Sequence, residues 1–307
     1  NSGAVINTAV SIYSHGVMRV RDDSKIIINS LDLGVTLTAE NLQDAISQDG
    51  PFGLIQSLLH VVQPTYGFEL YLNSDFPVGS GLGGSATLSA VVLGCFNMLR
   101  SDQWNQHELA EIAFQAERLH LGVAGGWQDQ YSTVFGGFNF LEFDRKHNTV
   151  MPIRLENNII NEIEERLIIC HTKQSHLGQV IQEDSSKKKT GDINKEQYAE
   201  RLKNLTTEMR QNLLRAKFDE FALLLEETWS IKKSLNPLVT NPVLDEIHAI
   251  ALSAGALAGR LLGTGGGGYF LFYVPPFSRY SVMEKLEKYG LQPEAVRIDQ
   301  QGLSSWI

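Results

Sequence analysis

The chain has 307 residues, of which 43% are hydrophobic and 20% are charged, and its formal net charge at pH 7 is −9. This length and composition are typical of a globular protein with one large domain or two closely packed ones. The acidic balance argues against a nucleic-acid-binding surface. No apolar stretch reaches the roughly 18 residues of a membrane span, and no signal peptide opens the chain. We therefore expect a soluble cytoplasmic protein without nucleic-acid or membrane partners.

The first 62 residues contain strand-like alternation followed by helical spacing. Five segments carry these patterns: strands at 2–10, 16–20 and 25–28, and helices at 41–46 and 53–62. The two helices are separate because Gly50-Pro51 cannot continue a helix. His60 lies in an apolar part of the second helix, and we expect it to be a structural histidine.

A strand, a glycine-rich loop and a helix follow one another between residues 68 and 99. Residues 68–72 alternate apolar and polar side chains, and 86–99 is apolar almost all round, which is typical of a buried helix. The loop between them contains Gly79, Gly81, Gly83 and Gly84 and ends at Ser85. Glycine tolerates positive φ, so such a loop can turn its N–H groups inward, and the helix N-terminus adds about half a positive charge. The pattern predicts an anion site that fits a nucleoside triphosphate.

Other interpretations of this loop are an ordinary glycine-rich turn and a dinucleotide site. The loop is not a Walker A motif, because no Lys-Ser/Thr pair follows its last glycine. A dinucleotide-dependent oxidoreductase needs an acidic residue about 20 positions after the glycines, at a second strand, and none is placed that way.

An amphipathic helix with three carboxylates is predicted over 106–120. Its spacing directs Ala113, Ala116 and His120 to one side and Glu108 and Glu111 to a solvated face. By spacing alone, Glu117 would be another surface carboxylate.

Asp129 stands in a different setting, between two glycine pairs and among bulky aromatic residues. An unpaired carboxylate is costly there, and a single acidic group in a largely apolar turn suits a general base or a group that orients a hydroxyl.

The pattern changes near residue 150 to a second half rich in strands and helices. The predicted elements are a strand at 164–170, helices at 197–214, 218–234, 243–254 and 278–289, a strand ending at 274 and a final strand at 295–298. A second glycine run, 263–268, holds five glycines directly before the strand that ends at 274. Two such loops are costly in chain entropy, so a chain that has both uses bare backbone to approach a ligand.

Two cysteines and one cluster of lysines complete the features of interest. Cys95 and Cys170 lie in apolar runs, neither with a partner at metal-ligand spacing, so we expect reduced core thiols. The cluster at 187–189 lies in a polar stretch and is expected to be a solvated loop.

These separated motifs together resemble the GHMP kinases, the family of galacto-, homoserine, mevalonate and phosphomevalonate kinases. Five residues match the central family motif, Pro-x-x-x-Gly-Leu-x-Ser-Ser-Ala: Pro77, Gly81, Leu82, Ser85 and Ala86. Gly84 replaces the first of the two family serines, which leaves one phosphate contact open. The late glycine run resembles the third motif, and Glu117 and Asp129 resemble the metal-binding glutamate and the catalytic aspartate. The resemblance covers nearly the whole chain.

The resemblance implies an α+β, two-lobed fold. Residues 1–155 would form a nucleotide-binding lobe like ribosomal protein S5 domain 2, and 156–307 would form a ferredoxin-like α/β lobe. Family members carry an upstream strand and glycine-rich turn that these residues do not include, so we expect the start of the fold to be missing.

The resemblance also implies an ATP- and Mg²⁺-dependent kinase with a small-molecule sugar or sugar phosphate as its other partner. The implied nucleotide-binding residues are Pro77, Gly79, Ser80, Gly81, Leu82, Gly83, Gly84, Ser85 and Ala86. Ser85 and Glu117 would hold Mg²⁺, and Asp129 would orient or deprotonate the attacking hydroxyl. The implied acceptor-side residues are Gly265, Gly266, Gly267, Lys173 and Lys232, with His171, His176 and Lys233 as further cations. Trp229 could stack on a sugar face or belong to the core.

Four segments resemble the heptose phosphate kinases within this family: GSGLGGSA, GGWQDQY, WSIKKSL and LLGTGGGG. This implies phosphorylation of O1 of D-glycero-D-manno-heptose 7-phosphate, for nucleotide-sugar synthesis. Lys173 departs from the Thr-Gly pair that such kinases usually have after this strand. A fucokinase- or galactokinase-like sugar 1-kinase is the alternative. A catalytically silent sugar- and nucleotide-binding sensor is a further one, which Gly84 permits and the retained Ser85, Glu117 and Asp129 argue against.

Overall fold

The computed structural model describes residues 3–123, 125–144, 147–174, 181 and 193–307. By spatial contacts the chain divides into two compact units. The larger unit takes the described residues of Asn1–Ser11, Gly79–Leu82 and Gly137–Gln300, and the smaller unit takes those of Ile12–Val78, Gly83–Gly136 and Gln301–Ile307. The predicted domain boundary after residue 155 stays a prediction.

Strands and helices are both abundant within the described residues, as the α+β prediction requires. The strands are β1 (Gly3–Thr8), β2 (Ser14–Val20), β3 (Ile26–Ser30), β4 (Val35–Ala39), β5 (Phe68–Ser74), β6 (Phe138–Phe143), β7 (Asn148–Pro152), β8 (Leu167–His171), β9 (Ala258–Leu261), β10 (Tyr269–Tyr273) and β11 (Pro293–Ala295). The helices are α1 (Leu42–Ser47), α2 (Gly53–Val62), α3 (Gly84–Met98), α4 (Gln106–Gln115), α5 (Gln128–Phe135), α6 (Asn157–Arg166), α7 (Ile193–Leu214), α8 (Phe218–Leu235), α9 (Pro242–Ser253) and α10 (Arg279–Lys288).

The smaller unit is built on a four-stranded sheet of order β2-β5-β3-β4. The strand β5 pairs antiparallel with β2 and parallel with β3. Its alternating residues Phe68, Leu70 and Leu72 are buried, and Phe68 meets Phe96 of α3 edge-on at 5.1 Å between ring centroids. The helix α3, apolar on nearly all sides, packs against β2, α2, α4 and α5. The sheet thereby fixes the helix that follows the glycine loop.

The segment 301–307 also belongs to the smaller unit, where it packs against α3 and the end of α5. A Cβ on Gly94 of α3 would lie 2.6 Å from Ser305 Oγ, and the Leu303 N–H donates to Val134 O at 3.3 Å. Gly136 and Gly302, both with positive φ, cross so closely that a Cβ on either would overlap the other's backbone. The segment therefore closes over the C-terminal ends of two helices whose N-terminal ends carry candidate site residues.

The close approach of Gly136 and Gly302 predicts that a side chain at Gly302 lowers the stability. A glycine of similar φ elsewhere separates this packing effect from backbone strain. We expect Gly302→Ala to lower the free energy of unfolding by about 1–3 kcal/mol more than Gly34→Ala, because only the first adds an overpacked contact. Gly34 is the matched control, since its φ of 63° is close to the 68° of Gly302 and a Cβ there meets nothing within 4 Å. Urea unfolding of both variants measures the difference, and equal losses would contradict the packing role of 301–307.

The larger unit contains a three-stranded sheet of order β1-β6-β7 and a four-stranded antiparallel sheet of order β11-β8-β10-β9. The helix α7 packs against β1, and α8 packs against β9. Trp229 of α8 is fully buried and meets Phe270 of β10 edge-on, with 6.1 Å between ring centroids. Of the two interpretations of Trp229, the core residue is therefore the one found.

Both cysteines are free thiols, as predicted, although only Cys170 is fully buried. Burial raises the pKa of Cys170 to about 12, and it also raises the pKa of the half-buried Cys95. Both thiols therefore stay protonated near neutral pH. Among the described residues, no helix combines the length and the apolar character that crossing a bilayer requires.

Several predicted elements differ from those in the structure. The predicted strand over 164–170 was wrong at its start, because residues 164–166 are the last three of the helix α6 and the strand β8 begins at Leu167. Glu164 is buried against Arg297 and the Ile298 N–H. The predicted final strand over 295–298 was also wrong in extent: β11 ends at Ala295, and Ile298 only bridges Val10. The strands β4, β6 and β7 and the helices α5 and α6 were not predicted.

His60 is not the buried histidine that its apolar neighbours suggested. It is exposed, and its ring lies 4.8 Å from the ring of His120, which is also exposed. His120 therefore does not share the buried side of Ala113 and Ala116, because the helix changes its pitch before it reaches His120.

Candidate active site

The glycine loop predicted from the sequence runs from the end of β5 into α3. Gly79, Gly81 and Gly83 all have φ between 71° and 77°, a conformation that side chains disfavour. Gly83 is the N-cap of α3, and no acidic residue occupies the first turn of that helix. The N–H groups of this first turn have no intrahelical partners. The loop thus ends at a helix N-terminus suited to an anion.

Gly84, the departure from the family motif, has a packing reason. A Cβ at this first residue of α3 would lie 3.0 Å from Cε2 of Phe76, so a serine here would press on the aromatic ring. Ser85 and Ala86 follow in the same turn, and Ala86 is buried. Pro77 and Leu82 lie at the beginning and end of the loop, as predicted.

The late glycine run contacts Ser80 of the first loop within the larger unit. The Tyr269 N–H donates to Ser80 O at 3.0 Å, and a Cβ on Gly268 would overlap that same carbonyl. Thr172 donates to Gly268 O from both its N–H and its hydroxyl, at 2.9 and 2.8 Å. Gly268 is therefore needed for the approach of two backbone segments to each other.

The other late glycines are buried in the same way. A Cβ on Gly265 would lie 2.7 Å from Cβ of Val239, and the Gly266 N–H donates to Val239 O at 2.9 Å. Gly267, between Gly266 and Gly268, is buried as well. Packing accounts for these positions, and their predicted approach to an acceptor stays a prediction.

Glu117 is buried, with 4% of its surface exposed, so it is not the solvated carboxylate that helical spacing suggested. Its Oε1 accepts a hydrogen bond from Ser85 Oγ at 2.6 Å, and its Oε2 accepts one from Gln130 Nε2 at 2.7 Å. Arg118 Nη1 lies 3.2 Å from Oε1. The structure therefore brings together the two residues that were predicted to share a metal ion.

The residues of this pair fit a Mg²⁺ site. A serine hydroxyl and a carboxylate are the hard oxygen donors that Mg²⁺ takes, and Mg²⁺ usually keeps several waters and binds substrate phosphates at its other positions. Among the described residues, no group of three or more histidine, cysteine, aspartate and glutamate side chains could hold a metal ion. A metal at Glu117 would thus depend on one carboxylate together with Ser85 and phosphate oxygens.

Asp129 lies beside Gly83, the N-cap of α3. It is half-buried in the first turn of α5, and a Cβ on Gly83 would be 3.3 Å from Cβ of Asp129. A negative charge is stabilised at such a helix N-terminus. Trp127 stacks on Phe114 at 3.4 Å and meets Tyr131 at 6.3 Å between ring centroids, which gives Asp129 the aromatic setting predicted from the sequence.

The predicted acceptor-side cations do not converge on one contact. Lys232 Nζ donates to Gly263 O at 2.7 Å, beside the late glycine run, whereas Lys173 Nζ donates to Gly290 O at 2.6 Å. Lys233 forms an ion pair with Asp245 at 3.5 Å. Burial lowers the pKa of His171, which disfavours its charged form. His176 and the cluster at 187–189 lie outside the described residues.

Two residues of this site were not singled out from the sequence, Arg118 and Gln130. Each directly follows a predicted residue, Glu117 or Asp129, and each contacts the Glu117 carboxylate. The sequence shows only that Arg118 and Gln130 are adjacent to predicted site residues. Adjacency does not indicate which of two neighbouring side chains points into the site.

The chain is similar to known proteins over nearly its whole length. Residues 52–137 match the family model of the GHMP kinases N terminal domain, and residues 209–291 match that of the GHMP kinases C terminal domain. A D-glycero-alpha-D-manno-heptose 7-phosphate kinase of Campylobacter jejuni is 33% identical, over 99% of this chain and 91% of its own length. The chain belongs to the GHMP kinases.

Further relatives agree with this membership. A bifunctional fucokinase/GDP-fucose pyrophosphorylase of Arabidopsis thaliana is 28% identical over 88% of this GHMP kinase, which spans 27% of that longer protein. A crystal structure described as a sugar kinase from Campylobacter jejuni superposes with a TM-score of 0.79 at 30% identity, covering 99% of this chain and 89% of that one. The predicted α+β GHMP kinase fold is confirmed, and ATP is the phosphate donor of the family.

The matched regions contain all candidate site residues of this GHMP kinase except those near residue 173. The N-terminal match includes the glycine loop, Glu117 and Asp129, and the C-terminal match includes Lys232 and the late glycine run.

Proposed function

We propose that this GHMP kinase transfers a phosphoryl group from ATP to the anomeric hydroxyl of a sugar phosphate, most favourably D-glycero-D-manno-heptose 7-phosphate, for nucleotide-sugar synthesis. The observation that carries the kinase function is the arrangement around the start of α3. There Ser85 Oγ donates a hydrogen bond to Glu117 Oε1 at 2.6 Å. Gly83, two residues before Ser85, lies beside Asp129. The full-length similarity to the heptose 7-phosphate kinase supports the choice of acceptor.

Phosphoryl transfer asks a protein mainly for positioning and for neutralisation of charge. In our proposal the N–H groups of residues 79–86, from the glycine loop into the first turn of α3, hold the β- and γ-phosphates of ATP. Ser85 Oγ and Glu117 Oε1 hold Mg²⁺, which when bound neutralises charge on the phosphate oxygens. Gln130 binds the other oxygen of Glu117 and keeps Oε1 directed to Ser85.

Asp129 is proposed to act on the acceptor. Its carboxylate, fixed at the start of α5 and among aromatic rings, would accept the proton of the attacking hydroxyl or orient that hydroxyl toward the phosphate. The late glycines and the amines of Lys173 and Lys232 are proposed to face the acceptor, where the cations would bind its remote phosphate.

The silent-sensor alternative is weakened by the reason found for Gly84. A Cβ there would press on the ring of Phe76, so the missing serine has a packing reason that does not require loss of activity. Residues 1–155 and 156–307 are proposed as the two family domains. The cytoplasm is proposed as the location of the protein, because two cysteines without a disulfide are usual in a reducing compartment.

A panel of acceptors tests the proposed function. With ATP and Mg²⁺, we expect kcat/KM for D-glycero-D-manno-heptose 7-phosphate to exceed that for the unphosphorylated heptose, the matched control, by at least about 10²-fold, because two or three charge-assisted hydrogen bonds to a phosphate are lost. Fucose, suggested by the fucokinase relative, and galactose, the acceptor of the galactokinase-like alternative, complete the panel. A clear preference for a neutral sugar would reject the heptose phosphate acceptor, and no transfer to any sugar would reject the sugar kinase.

A further inference from the structure

The helix that carries Glu117 changes its pitch immediately before this residue. It is α-helical to Gln115 and then forms a π-helical turn over Ala116–His120, closed by the hydrogen bond from the Leu121 N–H to Ala116 O at 3.0 Å. Such wide turns are frequent at functional sites. The turn directs two successive side chains inward, and those of Glu117 and Arg118 are only 5% and 11% exposed.

The guanidinium of Arg118 connects the carboxylate to the backbone that follows. Nη1 lies 3.2 Å from Glu117 Oε1 and donates to Val123 O at 3.2 Å, and Nη2 donates to Gly126 O at 3.4 Å. Cζ lies 5.8 Å from the ring centroid of Phe114, the residue on which Trp127 stacks. One planar group therefore contacts both the proposed metal ligand and the backbone just before Asp129.

Gly125 is shaped to this guanidinium. A Cβ on Gly125 would overlap Nη2 and Cζ of Arg118, whereas a Cβ on the next residue, Gly126, would meet nothing within 4 Å. The backbone thus lies directly against the guanidinium at Gly125, so a methyl group at this position would have to displace the guanidinium.

We propose that Arg118 is a positioning residue for phosphoryl transfer, which holds the Glu117 carboxylate and the backbone leading to Asp129 in one arrangement. This rests on the proposed function. Arg118 acts through Glu117 and through the carbonyls of Val123 and Gly126, not by contact with the reacting atoms. The planar fork of arginine suits this role, because its donors have fixed directions that a lysine amine does not reproduce.

The charge of Arg118 supports the same role. A buried carboxylate is costly without a counter-charge, and Arg118 supplies one to Glu117 before any metal arrives. The Glu117 carboxylate is then already oriented when ATP and Mg²⁺ enter, so that little reorganisation remains for the reaction itself. A misplacement of about 1 Å in such a site can cost about 10²-fold in rate.

The adjacent glycines offer a test that leaves every charged residue unchanged. We expect Gly125→Ala to displace the guanidinium and to lower kcat by about 10- to 100-fold, with a raised Mg²⁺ concentration for half-maximal rate. Gly126→Ala, the matched control, keeps the carbonyl that Arg118 binds and adds a Cβ that meets nothing within 4 Å, so it should lose much less kcat than Gly125→Ala. Hydrogen exchange of the nucleotide-free protein supplies the readout independent of activity: amides of residues 119–131 should exchange faster in Gly125→Ala alone. If Gly125→Ala equals Gly126→Ala in either kcat or exchange, the proposal is overturned.

Two substitutions of Arg118 separate its geometry from its charge. Arg118→Lys should lose kcat to within a few-fold of Arg118→Met, because the amine keeps the charge but cannot bind both carbonyls and Glu117 together. Recovery of parental kcat in Arg118→Lys would overturn the positioning role. If either variant fails to fold, the glycine pair still decides.

Failure of the proposed function has a different signature. A parent that phosphorylates no sugar would reject the kinase proposal, and the exchange comparison of the two glycine variants would still report whether Arg118 holds the segment. An active parent with two equivalent glycine variants would reject Arg118 alone.

Discussion

Asp129→Asn should fold normally, bind ATP with little change, and lose at least about 10²-fold in kcat. The amide has the shape of the carboxylate, so the packing beside Gly83 and the aromatic stack of Trp127 on Phe114 should persist. It cannot accept a proton, and it donates where the carboxylate accepts. Steady-state rates together with nucleotide titration and thermal unfolding measure the three parts of the expectation.

Asp44 provides the control for a purely structural aspartate. It also lies in the first turn of a helix, α1, where its carboxylate accepts hydrogen bonds from the Glu40 N–H and from Gln48. Asp44→Asn should lower the stability slightly, because the hydrogen bonds to the carboxylate are weakened, and leave kcat unchanged. If Asp129→Asn behaves in the same way, Asp129 only stabilises the start of α5 and the catalytic proposal is wrong.

Glu117→Gln is the second substitution with a large expected effect. We expect kcat to fall by about 10²-fold or more and the Mg²⁺ concentration for half-maximal rate to rise. The neutral amide would hold Mg²⁺ less tightly, so the positive charge that stabilises the phosphoryl-transfer transition state is lost. The same change leaves the Arg118 guanidinium buried without its counter-charge, which typically destabilises a protein by about 3–5 kcal/mol. Mg²⁺ titrations of initial rate and urea unfolding separate the two effects.

Two further substitutions are compared with Glu117→Gln, one at its hydrogen-bond partner and one on the exposed side of the preceding helix. Ser85→Ala should also raise the Mg²⁺ requirement, but with a smaller loss of stability, because a hydroxyl rather than a charge is removed. Glu111→Gln, on the exposed side of α4, should change neither. Unchanged Mg²⁺ dependence in both Ser85→Ala and Glu117→Gln would remove these residues from a metal site.

The glycine loop and α3 were predictable from the sequence because their signals are local. Glycines at alternate positions before an apolar helix define the loop, and the observed positive φ values at Gly79, Gly81 and Gly83 are the conformations that such spacing suggests. The buried strand β5 was equally local, since its alternation reflects one face packed on α3. These features depend on neighbours within a few residues of each other.

The environment of Glu117 was not predictable by periodicity. Glu117 was expected on a solvated face because it is a carboxylate, although α-helical spacing places it one turn after the buried Ala113. Periodicity does not show which partners would satisfy a carboxylate buried there. The family resemblance suggested Glu117, but it gave no indication of Arg118 or Gln130. Contacts of this kind depend on tertiary packing that spacing does not encode.

The second half shows the same limit in its strands and helices. Glu164 resembles an exposed residue in sequence, but its carboxylate is satisfied by Arg297 and the Ile298 N–H, which lie more than 130 positions later. The late glycine run was recognised as unusual, yet its contacts with Val239 and Ser80 could be found only in three dimensions.

The place of residues 301–307 in the smaller unit has a consequence for biosynthesis. Domains generally fold as units during synthesis, the N-terminal one first. Here the helices that begin at the glycine loop and at Asp129 receive their last packing partner only after the whole second half has been translated. A nascent chain that has not yet reached residue 301 would therefore hold α3 and α5 with their C-terminal ends uncovered, so these two helices gain this packing only once residues 301–307 have left the ribosome.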